Sequence, residues 1–436
     1  MRLRTLIICF LCIFQISASV QAKTKVVWWH AMGGQLDQWV KDLASEFNQS
    51  QEKYEIHPVF KGSYAEVMNA SISAFRAGKQ PHIVQVYEVG TATMMAAKGA
   101  IYPVHELMSD MHQAFNQNAF LPAIKSYYST AHGHMLSMPF NSSTAVFYYN
   151  KDAFVKAGLD PKRPPKTWED VAIYAKKLQQ VGYKCGFTTS WPSWVLLENM
   201  SAWHDKPMGT KDNGFDGLDT RFVFNSDFHQ YHFAQLSHWQ KEKIYDYAGR
   251  KSKGKTKFVT EHCAMFMSSS GALASIKSGA KFDFGVSKLP YWSSQISSPQ
   301  NSIIGGATLW VLRGHNRDEY EGVAAFFAYL SSAEVASKSH IRTGYLPLTQ
   351  AAYRLTKASG YYTKNPAAEI PIIQLTNKQP TRNSKGLRFG NFVQIRDIVE
   401  QELEFLWTGK KTAREALDHA VEKGNEVLED FEKMYK

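Results

Sequence analysis

Near the start of this chain short apolar runs alternate with amphipathic segments, and that leaves few folds open. Lys25-Val26-Val27-Trp28-Trp29 is β-branched and aromatic, as a strand requires. Leu36, Val40, Leu43 and Phe47 then recur at the spacing of one helix face. The same reading gives a second strand over 54–60, a second helix over 64–75 and a third strand over 82–89. Strand–helix–strand–helix–strand is the pattern of a parallel, helix-covered sheet.

Later helices are marked by their caps. Thr167-Trp168-Glu169-Asp170 resembles a capping box and leads into Val171, Tyr174 and Leu178. Thr412-Ala413-Arg414-Glu415 opens a long amphipathic helix through Leu417, Val421, Leu428 and Phe431. Its polar face mixes acids and bases, so packing against the body of the protein is expected, not a membrane. At 436 residues and 44% hydrophobic content, two globular units are expected. No repeat or Pro-rich linker separates them, which predicts interleaved lobes with more than one chain crossing.

The only stretch apolar enough to meet a membrane is at the N-terminus. Arg2 and Arg4, the run from Leu6 to Ile16, and Val20-Gln21-Ala22 read as a signal peptide cut after Ala22. Cys9 and Cys12 lack the small-residue context of a lipoprotein site, so a soluble exported product is expected. Cleavage leaves Cys185 and Cys263, for which a disulfide and two buried thiols stay equally open. The whole chain carries a net charge of +11, and cleavage removes two arginines and no acid. Such a protein can attract nucleic acid, anionic membrane or an anionic small molecule, but the charge is scattered and singles out none. The densest cluster, Arg250 through Lys257, reads as a solvated loop.

Catalytic signatures are missing. There is no G-x-S-x-G, no phosphate-binding P-loop, no G-x-G-x-x-G after a strand and no H-E-x-x-H. His132-Gly133-His134 reads as a turn, since no third ligand stands nearby. An enzyme is therefore unsupported, although a triad of distant residues would leave no motif. Trp191 and Trp194 flank Pro192 in what reads as a loop; they can pack in a core or cover the C–H surface of a polyol. The clusters Asn141-Ser142-Ser143-Thr144, Ser268-Ser269-Ser270-Gly271 and Gly305-Gly306 read as turns into helices, whose free N–H groups can seat phosphate.

Tyr148-Tyr149-Asn150-Lys151-Asp152-Ala153-Phe154, Pro164-Pro165-Lys166-Thr167-Trp168 and Gly344-Tyr345-Leu346-Pro347 resemble the extracellular solute-binding proteins of carbohydrate-type ABC importers. Within that family, the run from Gln85 to Met95, Pro139-Phe140-Asn141-Ser142-Ser143-Thr144, Ile303-Ile304-Gly305-Gly306-Ala307, Gly386-Leu387-Arg388 and Gln394-Ile395-Arg396 resemble members that take glycerol phosphates. The resemblance implies an α/β, two-lobed periplasmic-binding-protein fold. Each lobe would be a mostly parallel sheet flanked by helices, with ligand in the inter-lobe cleft. Lobes of 23–145 plus 298–345 and of 146–297 plus 346–436 are expected. It also implies a periplasmic, monomeric carrier without cofactor, metal or catalytic residues. That carrier would take sn-glycerol 3-phosphate or glycerophosphodiesters such as glycerophosphocholine to ABC permease subunits and their ATPase, with no nucleic-acid partner.

Carried over position by position, the site would use Tyr64, Glu88, Ser143, Trp191, Ser269, Gly306, Tyr345 and Arg396, with Trp194 as a further candidate. In that reading Arg396 gives phosphate a forked, charge-assisted pair. Ser143, Ser269, Tyr345 and the Gly306 amide add neutral donors, Glu88 accepts from glycerol hydroxyls, and Trp191 covers the carbons. Arg396 has no evident packing duty, so its loss is expected to spare folding. The alternatives are a sugar-binding carrier, which would need Asp, Asn and several Trp and no Arg, and a secreted glycerophosphodiester hydrolase, which would need a metal-binding carboxylate/His cluster.

Overall fold

The computed structural model describes residues 22–436. The expected signal peptide, with Cys9 and Cys12, lies outside the described residues except for Ala22. Among the described residues no helix is long and apolar enough to cross a membrane.

The chain builds two sheets. Five strands come first: β1 (Thr24–His30), β2 (Tyr54–Phe60), β3 (Ile83–Tyr87), β4 (Ile101–Tyr102) and β5 (Met138–Pro139). Then follow β6 (Ser143–Asn150), β7 (Cys185–Thr189), β8 (Cys263–Ser269), β9 (Phe284–Ser287), β10 (Ile304–Gly305) and β11 (Ala307–Leu312). The first sheet runs β2-β1-β3-β11-β4, with β5 also on β11; the second runs β10-β6-β8-β7, with β9 also on β6. The strand–helix alternation at the start has the expected result: β1 pairs in parallel with both β2 and β3. The helix Gln35–Ser50 buries Trp39, Val40, Leu43, Ala44 and Phe47. Both capping boxes form, at Thr167/Asp170 and Thr412/Glu415, and the latter opens the helix Ala413–Tyr435.

The sheets are mixed. Parallel pairing holds where a helical crossover stays within one sheet, as in β1–β3 and β7–β8. Antiparallel pairing appears where a strand arrives from the other lobe. β11 runs against β3, β4 and β5, and β6 runs against β8, β9 and β10. Parallel neighbours β7 and β8 place Cys185 opposite Cys263 with Cα atoms 4.7 Å apart, and the two are joined by a disulfide.

Two crossing segments lie side by side between the sheets, with Tyr345-Leu346 packed beside them. The chain leaves the first sheet after β5 and enters the second at Ser143; it returns between β10 and β11, at Gly306. β10 therefore belongs to the second sheet, and the return lies some residues after the boundary expected at 298. Phe140 and Asn141 donate their amides to Ala307 O, Glu88 N donates to Gly306 O, and Leu346 N donates to Ser142 O. A Cβ on Gly306 would sit 1.9 Å from Asn141 O, and its φ is +89°, so only glycine fits there. Past Tyr345 the chain stays with the first sheet, where Leu346, Leu348, Tyr362 and Ile372 pack on its core. Only later do Leu387, Phe392, Ile395 and Leu403 pack on that of the second, so the boundary expected after 345 comes too early.

Candidate ligand-binding site

The crossings form the floor of a cavity of about 370 Å³ between the lobes. Tyr64, Glu88, Ser143, Trp191, Ser269, Gly306, Tyr345 and Arg396 all line it, as does Trp194. Local structure explains each placement. Tyr64 is the first residue of the helix Tyr64–Arg76, capped by Ser63, and stacks on Tyr87. A relay fixes its hydroxyl: Gln85 Nε2 donates to Asn141 Oδ1, and Asn141 Nδ2 donates to Tyr64 OH at 2.8 Å. Burial raises the Tyr64 and Tyr345 phenols above their ordinary range, so both remain hydroxyl donors at neutral pH. Ser269 caps the turn after β8, its Oγ accepting from Gly271 N at 3.0 Å. Tyr345 follows Gly344 at the left-handed end of the helix Ala333–Thr343.

Two of the clusters read as turns into helices are something else. Ser143 and Thr144 open strand β6, and Gly305-Gly306 joins β10 to β11. Only Ser268-Ser269-Ser270-Gly271 leads into helical turns. Pro192 also departs from expectation, since it starts a helical stretch that continues as a π-helical turn over Trp194–Glu198. Proline is tolerated there because its missing N–H is unused in a first turn. Trp191, just before it, adopts φ +55° and donates its amide to Lys251 O at 2.7 Å.

Arg396 lies near the start of the helix Phe392–Trp407, and its fork is already occupied. Nε and Nη2 donate to the two oxygens of Glu198, each at 2.7 Å, and Nη2 also donates to Glu88 Oε1 at 2.8 Å. The three side chains retain 11%, 3% and 7% of their exposure, respectively. Among the described residues, Nη1 donates to no protein group. Burial alone would favour neutral Arg396, but Glu198 and Glu88 outweigh it and hold the guanidinium firmly charged. Burial lifts the Glu88 carboxyl above its usual range, Arg396 pulls it back, and Glu198 lifts it again. Nearby Glu400 is raised by burial too, while its Oε1 accepts from Ser193 N and Oγ.

Two expectations change as a result. The Arg396 fork is held by a carboxylate in this form, and Arg396 has a structural duty: without it, two buried carboxylates lose their partner. Glu198 escaped the sequence reading. Its signal was an acid ending the apolar run Trp194-Val195-Leu196-Leu197, which a buried position tolerates only with a cation beside it. The basic stretch 250–257 was also misread. It forms short helical turns, and Lys251, Ser252 and Lys255 line the cavity at its mouth.

Fold and cleft together define a two-lobed solute-binding protein. Residues 33–337 match the family model for bacterial extracellular solute-binding proteins, and the chain belongs to that family. Among its relatives, the sn-glycerol-3-phosphate-binding periplasmic protein UgpB of Escherichia coli O1:K1 is 50% identical over 97% of this chain and 96% of its own. UgpB of Salmonella paratyphi A is 51% identical over 95% of each chain. Among solved structures, UgpB from Mycobacterium tuberculosis in complex with glycerophosphocholine is similar at a TM-score of 0.76. The two share 20% identity, with 94% of this chain and 99% of that one covered. A cyclic α-maltosyl-1,6-maltose-binding protein from Arthrobacter globiformis shares the fold at a TM-score of 0.74 and 18% identity, covering 94% and 100%.

Proposed function

We propose that this chain is the periplasmic substrate-binding component of an ABC importer. It captures sn-glycerol 3-phosphate and glycerophosphodiesters such as glycerophosphocholine and delivers them to the membrane permease and its ATPase. The observation that carries this reading is the 50% identity, along 97% of the chain, to sn-glycerol-3-phosphate-binding proteins.

The cleft chemistry supports it. Ser143, Ser269, the Gly306 amide and the hydroxyls of Tyr64 and Tyr345 offer neutral donors to a phosphate, and Arg396 adds the unused Nη1. Glu88, with one oxygen on Arg396, keeps the other for a glycerol hydroxyl. A ligand lacking that hydroxyl would leave a buried oxygen unpaired, which selects against it. Trp191 covers the carbon chain. Tyr64 and Glu88 come from the first lobe and Trp191 and Ser269 from the second, so full coordination requires the lobes to close on the ligand.

A carrier binds without turnover. Calorimetry with glycerol 3-phosphate, glycerophosphocholine and maltose, alongside an assay for released choline, tests both halves. One mole of glycerol 3-phosphate or glycerophosphocholine per mole of protein, with no choline released, is expected. Binding of maltose alone would transfer the protein to the sugar carriers, and choline release would make it a hydrolase.

A further inference from the structure

We propose that the cleft mouth carries a second anion subsite, built by Lys251 and Lys255, that takes glycerophosphodiesters whose second alcohol bears an anionic group. This rests on the glycerol-phosphate reading above and extends it to a further ligand class. The basic stretch 250–257 sorts its charges in a telling way. Arg250 pairs with Glu404 and Lys257 with Asp246. Lys251 and Lys255, four residues apart, face the cavity, and neither is ion-paired among the described residues. Glu66, across the mouth on the first lobe, is engaged in its own helix cap, its Oε2 accepting from Ser63 N.

The stretch is held firmly in place. A Cβ on Gly254 would meet Thr189 O at 2.2 Å, so the turn lies directly on the end of β7. Lys251 has φ +56° and accepts the amide of Trp191, itself at φ +55°. Two non-glycine residues in left-handed backbone, tied to each other at a cavity wall, are the kind of local strain that surrounding structure sustains at a binding surface. The tie joins Lys251 to Trp191 at the wall of the cavity that Lys255 and Arg396 also line. The inner wall sets two acids against one base; the mouth sets two bases, Lys251 exposed and Lys255 half-buried, against Glu66, whose carboxylate is already engaged in its helix cap. A ligand with phosphate inside and a second anion outside would match that layout.

The test compares glycerophosphoglycerol with the same diester carrying a terminal phosphate, by calorimetry at low ionic strength, with glycerol 3-phosphate as reference. A charge-assisted contact at a partly exposed site should favour the phosphorylated diester by about tenfold. The double variant Lys251→Ala/Lys255→Ala should lose that preference and keep the wild-type affinity for glycerophosphoglycerol. Equal affinity of the wild type for the two diesters overturns the subsite without needing any variant, as does a preference that survives in a variant with normal thermal unfolding. Absence of glycerol 3-phosphate binding would instead overturn the underlying reading, and the subsite with it.

Discussion

Arg396 at the inner wall of the cleft and Lys251 at its mouth are both cations facing the same cavity, yet they are held in opposite ways. Arg396 is buried and donates to Glu198 and Glu88 before any ligand arrives. Lys251 is exposed and, among the described residues, in no ion pair, and only its backbone is constrained. A buried charge cannot remain without partners, whereas an exposed one is satisfied by water. The inner wall is therefore part of the fold's stability as well as its specificity. The mouth can change without the fold noticing.

Substitutions separate the two regions by size of effect. Arg396→Ala should be the most damaging, because it leaves Glu88 and Glu198 buried without their cation. A loss of about 3–5 kcal/mol at pH 7, read by urea unfolding, is expected. With the cation gone, both carboxyls take up protons more readily in the folded state than in the unfolded one. The deficit should therefore shrink as pH falls toward the ordinary carboxylate range, about 4. Buried His204 and His229, held at about 4 and about 3, weaken wild type and variant alike on acidification, so the difference between the two proteins is the quantity to follow. A constant deficit from pH 7 to 4.5 would mean that the carboxylates are not what Arg396 supports.

Gly306→Ala comes next. It sets a methyl against a backbone carbonyl at a position of positive φ, at the joint between the lobes. A loss of roughly 2–4 kcal/mol is expected by the same unfolding assay. Wild-type stability would show that the crossing strands can part freely.

Glu400→Gln should be mild and of opposite sign. Burial raises the folded pKa of Glu400, so its ionised form costs stability at pH 7, and the amide oxygen can still accept from Ser193. A change between zero and about 1 kcal/mol in favour of the variant is expected at pH 7, vanishing below about pH 4. A clear loss at neutral pH would show that the charge itself is needed beside Arg396. The rim variant Lys251→Ala/Lys255→Ala should be the smallest of all, within ~0.5 kcal/mol of wild type.

Much of this molecule can be read from its residues, for identifiable reasons. The first three strands and two helices announce themselves, the helices by one apolar face at helical spacing and the strands by short β-branched and aromatic runs, of which the third is buried on both sides. The capping boxes at Thr167 and Thr412 are local in sequence and form as read. All nine residues carried over from the family resemblance line one cavity, although their partners were invisible. Nothing local to Arg396 signals that Glu198, nearly two hundred residues earlier, occupies its fork. Pairing also decides the basic stretch: five of the eight residues 250–257 are basic, but whether each is neutralised depends on Glu404 and Asp246, which other elements bring. The direction of β6 and β11 was equally hidden, because it follows from the lobe each strand arrives from.

The central claim is that a glycerol phosphate is held at the inner wall. Equilibrium dialysis of labelled sn-glycerol 3-phosphate against wild type and Arg396→Ala tests it most directly, with the variant's folded state confirmed by circular dichroism at the same temperature. One mole bound per mole of wild type is predicted. Losing one partner of a buried charged contact costs about 2–5 kcal/mol, so the folded variant should bind roughly 30-fold to several thousand-fold more weakly. No binding by the wild type, or wild-type affinity in the folded variant, would contradict the account.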